Sequence, residues 1–548
     1  MTDLFTRHKT LLESALKALE TREFWTPFPE VPSGKLYGEA AKAEGESSYA
    51  GLMGATFHLP GHPEEGRVGS EVSPWGPELG IRYPAAAPEA LIAAAEAAAP
   101  AFAEATVEAR VGALLEALVR LNKMSFLLGH ATMHTTGQAF AMAFQAGGPH
   151  AQDRGLEALA MAYSELTRSA RDAVWEKPQG KHAPLVIEKH WSLVPRGIAL
   201  TVGCNTFPTW NGYPGIFASL ATGNPVIVKP HPRAILPLAL TVRVLREVFA
   251  EIGLPQDAVL LAADAPEAQI TKGLAAHEKV ALIDYTGSTA FADWIRAHSQ
   301  AMLFTEEAGV NSVTITGTDD FSGMCANLAF SMSLYSGQMC TSPQNLYIPR
   351  GGIETDQGHK SFDEVAEGIK QAIDALLSDP AHAAGICGTI VNPTTLQRIE
   401  AARGAGRVIR DSAETGHGRS ATPLMVAVEG AEGPQNDECF GPVSFLVPCD
   451  GAEDAIARAA GIARSKGAIT AALYATDEAL VKQAAKAFAQ AGVNLSVNLT
   501  GNIYVNQSAA FSDFHVTGAN PAGNASLTDA AFVAPRFRRV MIRWPKAA

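Results

Sequence analysis

The chain has 548 residues, 47% hydrophobic and 18% charged, enough apolar material for two or three domains with substantial cores. This excludes a disordered chain, a collagen-like fibre and a small domain that depends on disulfide staples. With 43 basic against 56 acidic side chains the net charge is −13, so neither nucleic acid nor an anionic membrane surface is an expected partner.

The N-terminal stretch MTDLFTRHKTLLESALKAL reads as an amphipathic helix, charged throughout and without the apolar core of a secretion signal. The remainder of residues 1–85 is rich in Gly, Pro and short polar turns and reads as an extension, helical only near its start. From Pro88 to about Leu166, Leu and Val recur at helical intervals among Ala and Glu, the Ala-rich run Ala93–Ala105 included. Strand patterns begin at Leu185 (LVIEKHWSLVP, GIALTVG) and recur as NPVIVKP, AVLLAA, KVALIDYTG and NSVTITG, with helical patterns between them. The same rhythm resumes after Cys340 with NLYIPR, PLMVAV, SFLVPC, AITAALYA and VNLSVNL, and the chain closes on FRRVMIRW. Alternating strand and helix predicts parallel βαβ units, here two of them with a boundary near residue 310. The strands near 184–195 and 536–545 flank the halves and fit a separate small sheet that pairs subunits.

No apolar run approaches the roughly 20 residues of a membrane span. The six cysteines form no C-x-x-C pair and have no zinc-ligand spacing with His, which predicts a reducing, cytoplasmic setting and no metal.

Several residues could carry chemistry. Cys340 lies in SLYSGQMCTSPQNLYI, where Gly337 permits a tight turn and Thr341 and Ser342 offer hydroxyls. A nucleophilic thiol needs activation and access, although an isolated cysteine is more often packing. Glu306 and Glu307 in FTEEAGVNSVTI follow an apolar stretch, and Glu438 in NDECFGPVSF lies in a turn closed by Gly441 and Pro442. A carboxylate in a water-poor site becomes a base near neutrality, whereas an exposed loop glutamate is merely solvated. In CNTFPTWNGYPG an Asn amide could donate to an oxyanion or only satisfy a turn. Lys229 ends the strand in NPVIVKPHPR, and Gly287, Ser288 and Thr289 form a strand-to-helix turn. Ligands of open α/β sheets bind at strand carboxyl ends, and phosphates bind at helix N-termini, yet the same turn also serves ordinary capping.

Read together and in order, FP at 207–208, ATGNPVIVKP at 221–230, YTGST at 285–289, EEAGVNS at 306–312, GQMCT at 337–341 and ECFGP at 438–442 resemble the aldehyde dehydrogenase superfamily over roughly residues 85–545. The resemblance implies an α/β fold of two Rossmann-like parallel-sheet domains plus a small oligomerisation sheet. Residues 1–85 would be an N-terminal extension and 86–309 a cofactor-binding domain with a bridging strand near 184–195. Residues 310–515 would be the catalytic domain and 516–548 the C-terminal return and oligomerisation strand. By the same resemblance Cys340 attacks the aldehyde and Glu306 activates water to release the acid. Lys229 would hold the adenosine ribose, Gly287 and Ser288 the pyrophosphate, and Glu438 the nicotinamide ribose, with Phe440 lining the nicotinamide side. A small-molecule aldehyde substrate and a homodimer or homotetramer are also implied.

Within the superfamily, GCNTFPTWNGYPGIFASLATGNPVIVKPHP, the long N-terminal segment and the insert near NLTGNIYVNQSAAFSDFHVTGAN resemble the phenylacetic-acid-degradation aldehyde dehydrogenases. That implies a ring-opened semialdehyde substrate, the coenzyme A thioester form included. Some of those relatives carry a C-terminal hydratase domain; this sequence stops after the last strand pattern, so that activity is expected to be missing.

Four departures matter. The family's oxyanion amide sits immediately before its Phe-Pro, where this chain has Thr206, with Asn205 one residue earlier; Asn205 is the favoured donor and Thr206 the alternative. Ala308-Gly309-Val310 replaces Gly-Gly-Lys, and Ala292 replaces the glycine that closes the GSTxxG pattern. Pro232 stands where a ribose-binding acid is common, with Arg233 beside it, so NADP is favoured slightly over NAD. Glu306 itself favours hydrolysis to the free acid, because acylating relatives generally lack a base there. The competing readings are a cofactor-free thiol hydrolase, opposed by the lack of a recognisable His or Asn pattern near Cys340, and a catalytically silent scaffold.

Overall fold

The computed structural model describes residues 2–430 and 432–546, so the first residue of the extension and the last two of the C-terminal return lie outside it. Apolar, β-branched runs such as VIVK and SVTI are buried along their whole length, and IALTV along all but its last residue, as parallel strands covered on both faces must be. An antiparallel pair, β1 (Asp172–Gln179) and β2 (His182–Pro195), precedes the parallel sheets. One parallel sheet follows: β3 (Ile198–Val202), β4 (Val226–Lys229), β5 (Val259–Leu261), β6 (Val280–Thr286) and β7 (Met302–Glu306), in the spatial order β5-β4-β3-β6-β7. The second sheet holds β8 (Ser312–Ile315), β9 (Asn345–Pro349), β10 (Arg407–Arg410), β11 (Leu424–Ala427), β12 (Val443–Cys449), β13 (Thr470–Tyr474) and β14 (Asn494–Val497). Its order is β10-β11-β12-β9-β8-β13-β14, all parallel except the β10–β11 edge. β15 (Phe537–Pro545) returns to pair antiparallel with β2, Phe537 opposite Pro195.

Helices cover both faces of the first sheet. The relevant ones are α1 (Pro88–Glu104), α2 (Val107–Lys123), α3 (Pro149–Thr167), α4 (Pro208–Ala221), α5 (Leu236–Glu251), α6 (Thr289–His298) and α7 (Phe321–Ser333). Leu91 and Ile92 of α1 and Ile295 of α6 pack with Leu200, Ile227 and Ile283 on one face. On the other, Leu118 of α2, Leu159 of α3, Phe217 of α4 and Leu245 of α5 join Ala199, Val226 and Val228. Leu328 and Met332 of α7 pack on Val313, Leu346 and Leu446 of the second sheet.

The N-terminal extension belongs to the first core, with Leu12, Ala15, Phe57 and Tyr83 buried in it. It is more helical than its sequence indicates, because Gly34–Tyr37 and Ala41–Leu52 are helices as well. AKAEGESSYAGL has no apolar stripe and buries only Gly45, so its sequence carries no amphipathic signal. Gly45 is there for contact: a Cβ would lie 2.4 Å from Phe126 Cβ.

Two further ties hold the extension. Glu71 is buried where α5 begins, its Oε1 accepting the Ile235 and Leu236 amides at 2.6 and 3.1 Å and its Oε2 the Tyr83 hydroxyl at 2.5 Å. His62 Nε2 accepts the Leu261 amide at 2.9 Å, at the end of β5.

Candidate active site

β7 ends on Glu306, and the backbone at that end decides which of two adjacent glutamates faces inward. Glu307 turns to Arg296 of α6, with which it forms an ion pair. Glu306 points the other way, 4% exposed, its Oε2 accepting from Asn211 Nδ2 at 2.9 Å. Its backbone carbonyl accepts the Gly287 amide at 3.0 Å, which ties this glutamate to the strand-to-helix turn before α6.

Cys340 arrives from the second sheet on a strained turn after α7. Tyr335, Ser336 and Gly337 have φ values of 51°, 50° and 62°, three left-handed residues in succession. Each non-glycine residue in that region costs roughly 1–3 kcal/mol and persists only where the surroundings enforce it. Here Tyr335 Oη donates to Thr136 O, and Ser336 Oγ bonds Ala421 O at 2.6 Å and Cys387 O at 3.0 Å. Gln338 Nε2 bonds Tyr335 O at 3.1 Å and Thr389 O at 2.9 Å. Gly337 is obligatory, since a Cβ would lie 2.4 Å from Gly441 O. Beyond the turn, buried Asn311 fixes the thiol's own peptide. Its Nδ2 donates to Cys340 O (2.7 Å) and Ser342 O (3.0 Å), and its Oδ1 accepts the Ile469 and Thr470 amides.

Cys340 Sγ is 3.8 Å from His515 Nε2, and the same nitrogen is 3.2 Å from Glu306 Oε2. All three ligand atoms lie within 4.8 Å of one another. His515 is 2% exposed and meets the Trp210 ring edge-on at 4.7 Å, and its Nδ1 has no hydrogen-bond partner among the described residues. It is carried by the loop after β14, which Arg154 and Glu157 of α3 hold in place. Arg154 donates to Asp513 O at 3.2 Å and Ser508 Oγ at 2.8 Å, and Glu157 Oε1 accepts the Phe511 amide at 2.9 Å. Arg22 and Trp25 of the extension cover the loop from outside, stacked on Phe514 and edge-on to Phe511.

The electrostatics follow from this packing. Burial raises the Cys340 pKa well above that of a free thiol, and the Glu306 charge adds to the effect. Burial also works to raise Glu306, but the charge and hydrogen bond of His515 and the hydrogen bond from Cys340 outweigh it, so the net shift is downward and the carboxylate is ionised at neutral pH.

Cys340 opens onto a cleft of about 280 Å³ whose wall includes Glu438, Phe440 and Gly309. Glu438 Oε1 accepts the Gly309 amide at 3.2 Å, and Arg398 donates to Phe440 O at 3.2 Å. Ser288 precedes α6 with its hydroxyl unused in capping, and it and Gly287 are exposed at the carboxyl end of β6. A Cβ on Gly287 would lie 2.5 Å from Tyr285 Oη, so a side chain there would have to push the tyrosine ring aside. These groups fit a dinucleotide: the Ser288 hydroxyl and the amides that open α6 for phosphate at a helix N-terminus, and a carboxylate at the far end beside the thiol.

Lys229, at the end of β4, is buried and ion-paired with Asp264 at 2.7 Å. Asp264 follows β5, far from Lys229 in sequence, and puts a carboxylate beside the lysine where the local sequence has Pro232. Arg233 is exposed nearby. Asn205 stands on the turn after β3 with its Oδ1 buried and unpartnered, while Thr206 O accepts from Gln138 at 2.8 Å.

Sequence reasoning missed His515, Asn211, Asn311 and Asp264. Asn211 lies in a segment singled out for its asparagine, but only the first turn of α4 aims it at Glu306. His515 sits in an insert with no catalytic pattern of its own, and long-range folding alone brings it to the thiol.

The model of the aldehyde dehydrogenase family matches residues 72–523, most of the chain. The chain belongs to the aldehyde dehydrogenase family. A crystal structure of an NAD-dependent aldehyde dehydrogenase from Burkholderia multivorans superposes with a TM-score of 0.98 at 51% identity, covering 100% of this chain and 99% of that one. An NADP-dependent glyceraldehyde-3-phosphate dehydrogenase from Bacillus halodurans C-125, complexed with NADP, shares the aldehyde dehydrogenase fold at TM-score 0.70 and 17% identity, covering 88% of this chain and 96% of that one. Among curated relatives, lactaldehyde dehydrogenase of Escherichia coli (strain K12) is 25% identical over 258 residues, 44% of this chain and 50% of that protein. N-succinylglutamate 5-semialdehyde dehydrogenase of Burkholderia mallei (strain SAVP1) is 25% identical over 296 residues, 52% of this chain and 57% of that protein. The chain thus spans only about half the length of these aldehyde dehydrogenase relatives.

Proposed function

We propose that the chain oxidises an aldehyde to the free carboxylic acid with NAD(P) as hydride acceptor, by way of a thioester on Cys340. The observation that carries this is one thiol with an ionised, buried carboxylate within 4.8 Å, opening onto a cleft walled by Glu438 and Phe440. Cys340, once ionised, attacks the carbonyl carbon, and the oxyanion lies between its backbone N–H and the Asn205 amide. When bound, the nicotinamide supplies the hydride-accepting chemistry. Ser288 and the Gly287 backbone hold the pyrophosphate, Lys229 the adenosine ribose and Glu438 the nicotinamide ribose, with Phe440 alongside. Glu306, held by Asn211, takes a proton from water, which then releases the acid from sulfur.

We read the Asp264 carboxylate beside Lys229 as disfavouring a 2′-phosphate, which supports NAD over NADP where Pro232 and Arg233 supported NADP slightly. The Burkholderia multivorans likeness agrees. The substrate class we favour is a ring-opened semialdehyde of phenylacetate breakdown, coenzyme A-linked forms included, on the likeness of the Gly203–Pro232 phrase and the insert. A cofactor-free thiol hydrolase is disfavoured although His515 stands by the sulfur. Such enzymes orient the base through its second ring nitrogen, and here one nitrogen faces both partners while Nδ1 has none.

The test is a panel of aldehydes with both dinucleotides. Aldehyde-dependent cofactor reduction is expected from wild type and absent from Cys340→Ala, with kcat/KM for NAD at least about tenfold above NADP, ~1.4 kcal/mol. Unimpaired reduction by Cys340→Ala contradicts the mechanism, and a preference for NADP contradicts the role of Asp264.

A further inference from the structure

Cys340 Sγ, His515 Nε2 and a Glu306 oxygen all lie within 4.8 Å of one another. A tetrahedral zinc ion binds sulfur at about 2.3 Å and nitrogen or oxygen at about 2.0–2.1 Å, which places S and N about 3.5 Å apart and N and O about 3.4 Å apart. The observed separations are 3.8 and 3.2 Å. A proton relay would use both imidazole nitrogens, one toward each neighbour. This imidazole directs the same nitrogen at both, while its Nδ1 and the second Glu306 oxygen, Oε1, are buried with no hydrogen-bond partner among the described residues. Convergence of three donors is what a single cation requires.

The chemistry selects the cation. Thiolate, imidazole and carboxylate together suit zinc, whereas magnesium and calcium take oxygen donors alone. One thiolate and one carboxylate carry two negative charges, which a divalent ion neutralises where water is scarce. Asn211 orients Glu306, and Trp210 packs edge-on against the His515 ring. Sequence spacing argues against a metal because the ligands come from three distant segments: the end of β7, the turn after α7 and the loop after β14.

We propose that Glu306, Cys340 and His515 form a reversible zinc site, its fourth position open to the cleft, that inhibits whatever chemistry the thiol performs. As the Zn–S bond forms the S–H bond breaks and the proton passes to solvent. The sulfur lone pair and the carboxylate are then both occupied, so neither attack nor proton uptake can occur.

The full chain, freed of metal by chelator and kept reduced, is titrated with zinc against a chromophoric chelator, then with cobalt(II) as a spectroscopic probe. One zinc per chain is expected, with affinity falling at least about tenfold in Cys340→Ala, in His515→Gln and in Glu306→Gln, about 1.4 kcal/mol each. Cobalt is expected to show a thiolate charge-transfer band that Cys340→Ala abolishes and Cys204→Ala keeps. Circular dichroism establishes which variants are folded, and three separate ligand variants keep the result decisive if one is not. Undiminished affinity in folded His515→Gln or Glu306→Gln, a band that depends on Cys204, or no stoichiometric zinc overturns the site. The inference does not rest on the dehydrogenase reading: turnover without zinc binding sinks only the zinc site, and zinc binding without turnover sinks only the proposed activity.

Discussion

At the scale of single residues, the thiol and the carboxylate set each other's state. Burial and the Glu306 charge both raise the Cys340 pKa, so most of the sulfur is protonated at pH 7 and its thiolate fraction grows as pH rises. Removing the charge while keeping the shape should lower that pKa. Iodoacetamide labelling of Cys340 across pH is therefore expected to reach its midpoint at lower pH in Glu306→Gln than in wild type. A midpoint that moves upward, or not at all, would show that the Glu306 charge is not what holds the thiol protonated. Asn311 acts differently: with four hydrogen bonds to the backbone of two segments, it determines where the thiol is rather than what it is.

At the scale of elements, the N-terminal extension bonds directly to the first sheet. His62 is pushed down to about 4 by burial, with Arg246 reinforcing the effect, so it is neutral when folded and accepts the Leu261 amide on Nε2. An unfolded histidine titrates near 6.5. The unfolded chain therefore takes up the proton first. The stability due to neutral His62 is fully present above about pH 6.5 and is lost as pH falls toward about 4, up to about 3 kcal/mol. Chemical denaturation between pH 7.5 and 4.5 is expected to show this loss in wild type and a shallower slope in His62→Gln; equal slopes would remove His62 from the account.

How far the sequence revealed these elements depended on burial. Strands hidden on both faces, such as VIVK, announce themselves as apolar runs, and the turns that follow them point to Lys229 and Ser288. The Ala41–Leu52 helix and the loop bearing His515 do not, because each is fixed by contacts with distant chain: Phe126 in one case, Arg154 and Glu157 in the other. The same limit hid Asp264. Lys229 is legible at the end of β4, but the carboxylate that pairs with it arrives from the neighbouring strand's loop.

At the scale of the molecule, the sheet β1-β2-β15 is rooted in the first core by Phe537 and Leu193 and leaves Val174, Val540, Ile542 and Trp544 exposed. Apolar side chains on an exposed antiparallel sheet with free edges mark an association surface. We propose that it joins copies of this chain into a dimer or a dimer of dimers. Light scattering on the wild-type protein should give an oligomer, and Val540→Asp combined with Ile542→Asp should yield monomers that remain folded. A wild-type monomer, or an oligomer indifferent to both changes, would leave that sheet without this role.

The measurement that bears most directly on the whole account is intact-mass analysis of Glu306→Gln mixed with aldehyde and dinucleotide. An acyl group is expected on Cys340, formed only when both are present and matched by about one equivalent of reduced cofactor, followed by little steady turnover. Cofactor reduction with no adduct on Cys340, or steady turnover at the wild-type rate, would contradict covalent catalysis by this thiol and deacylation by this carboxylate.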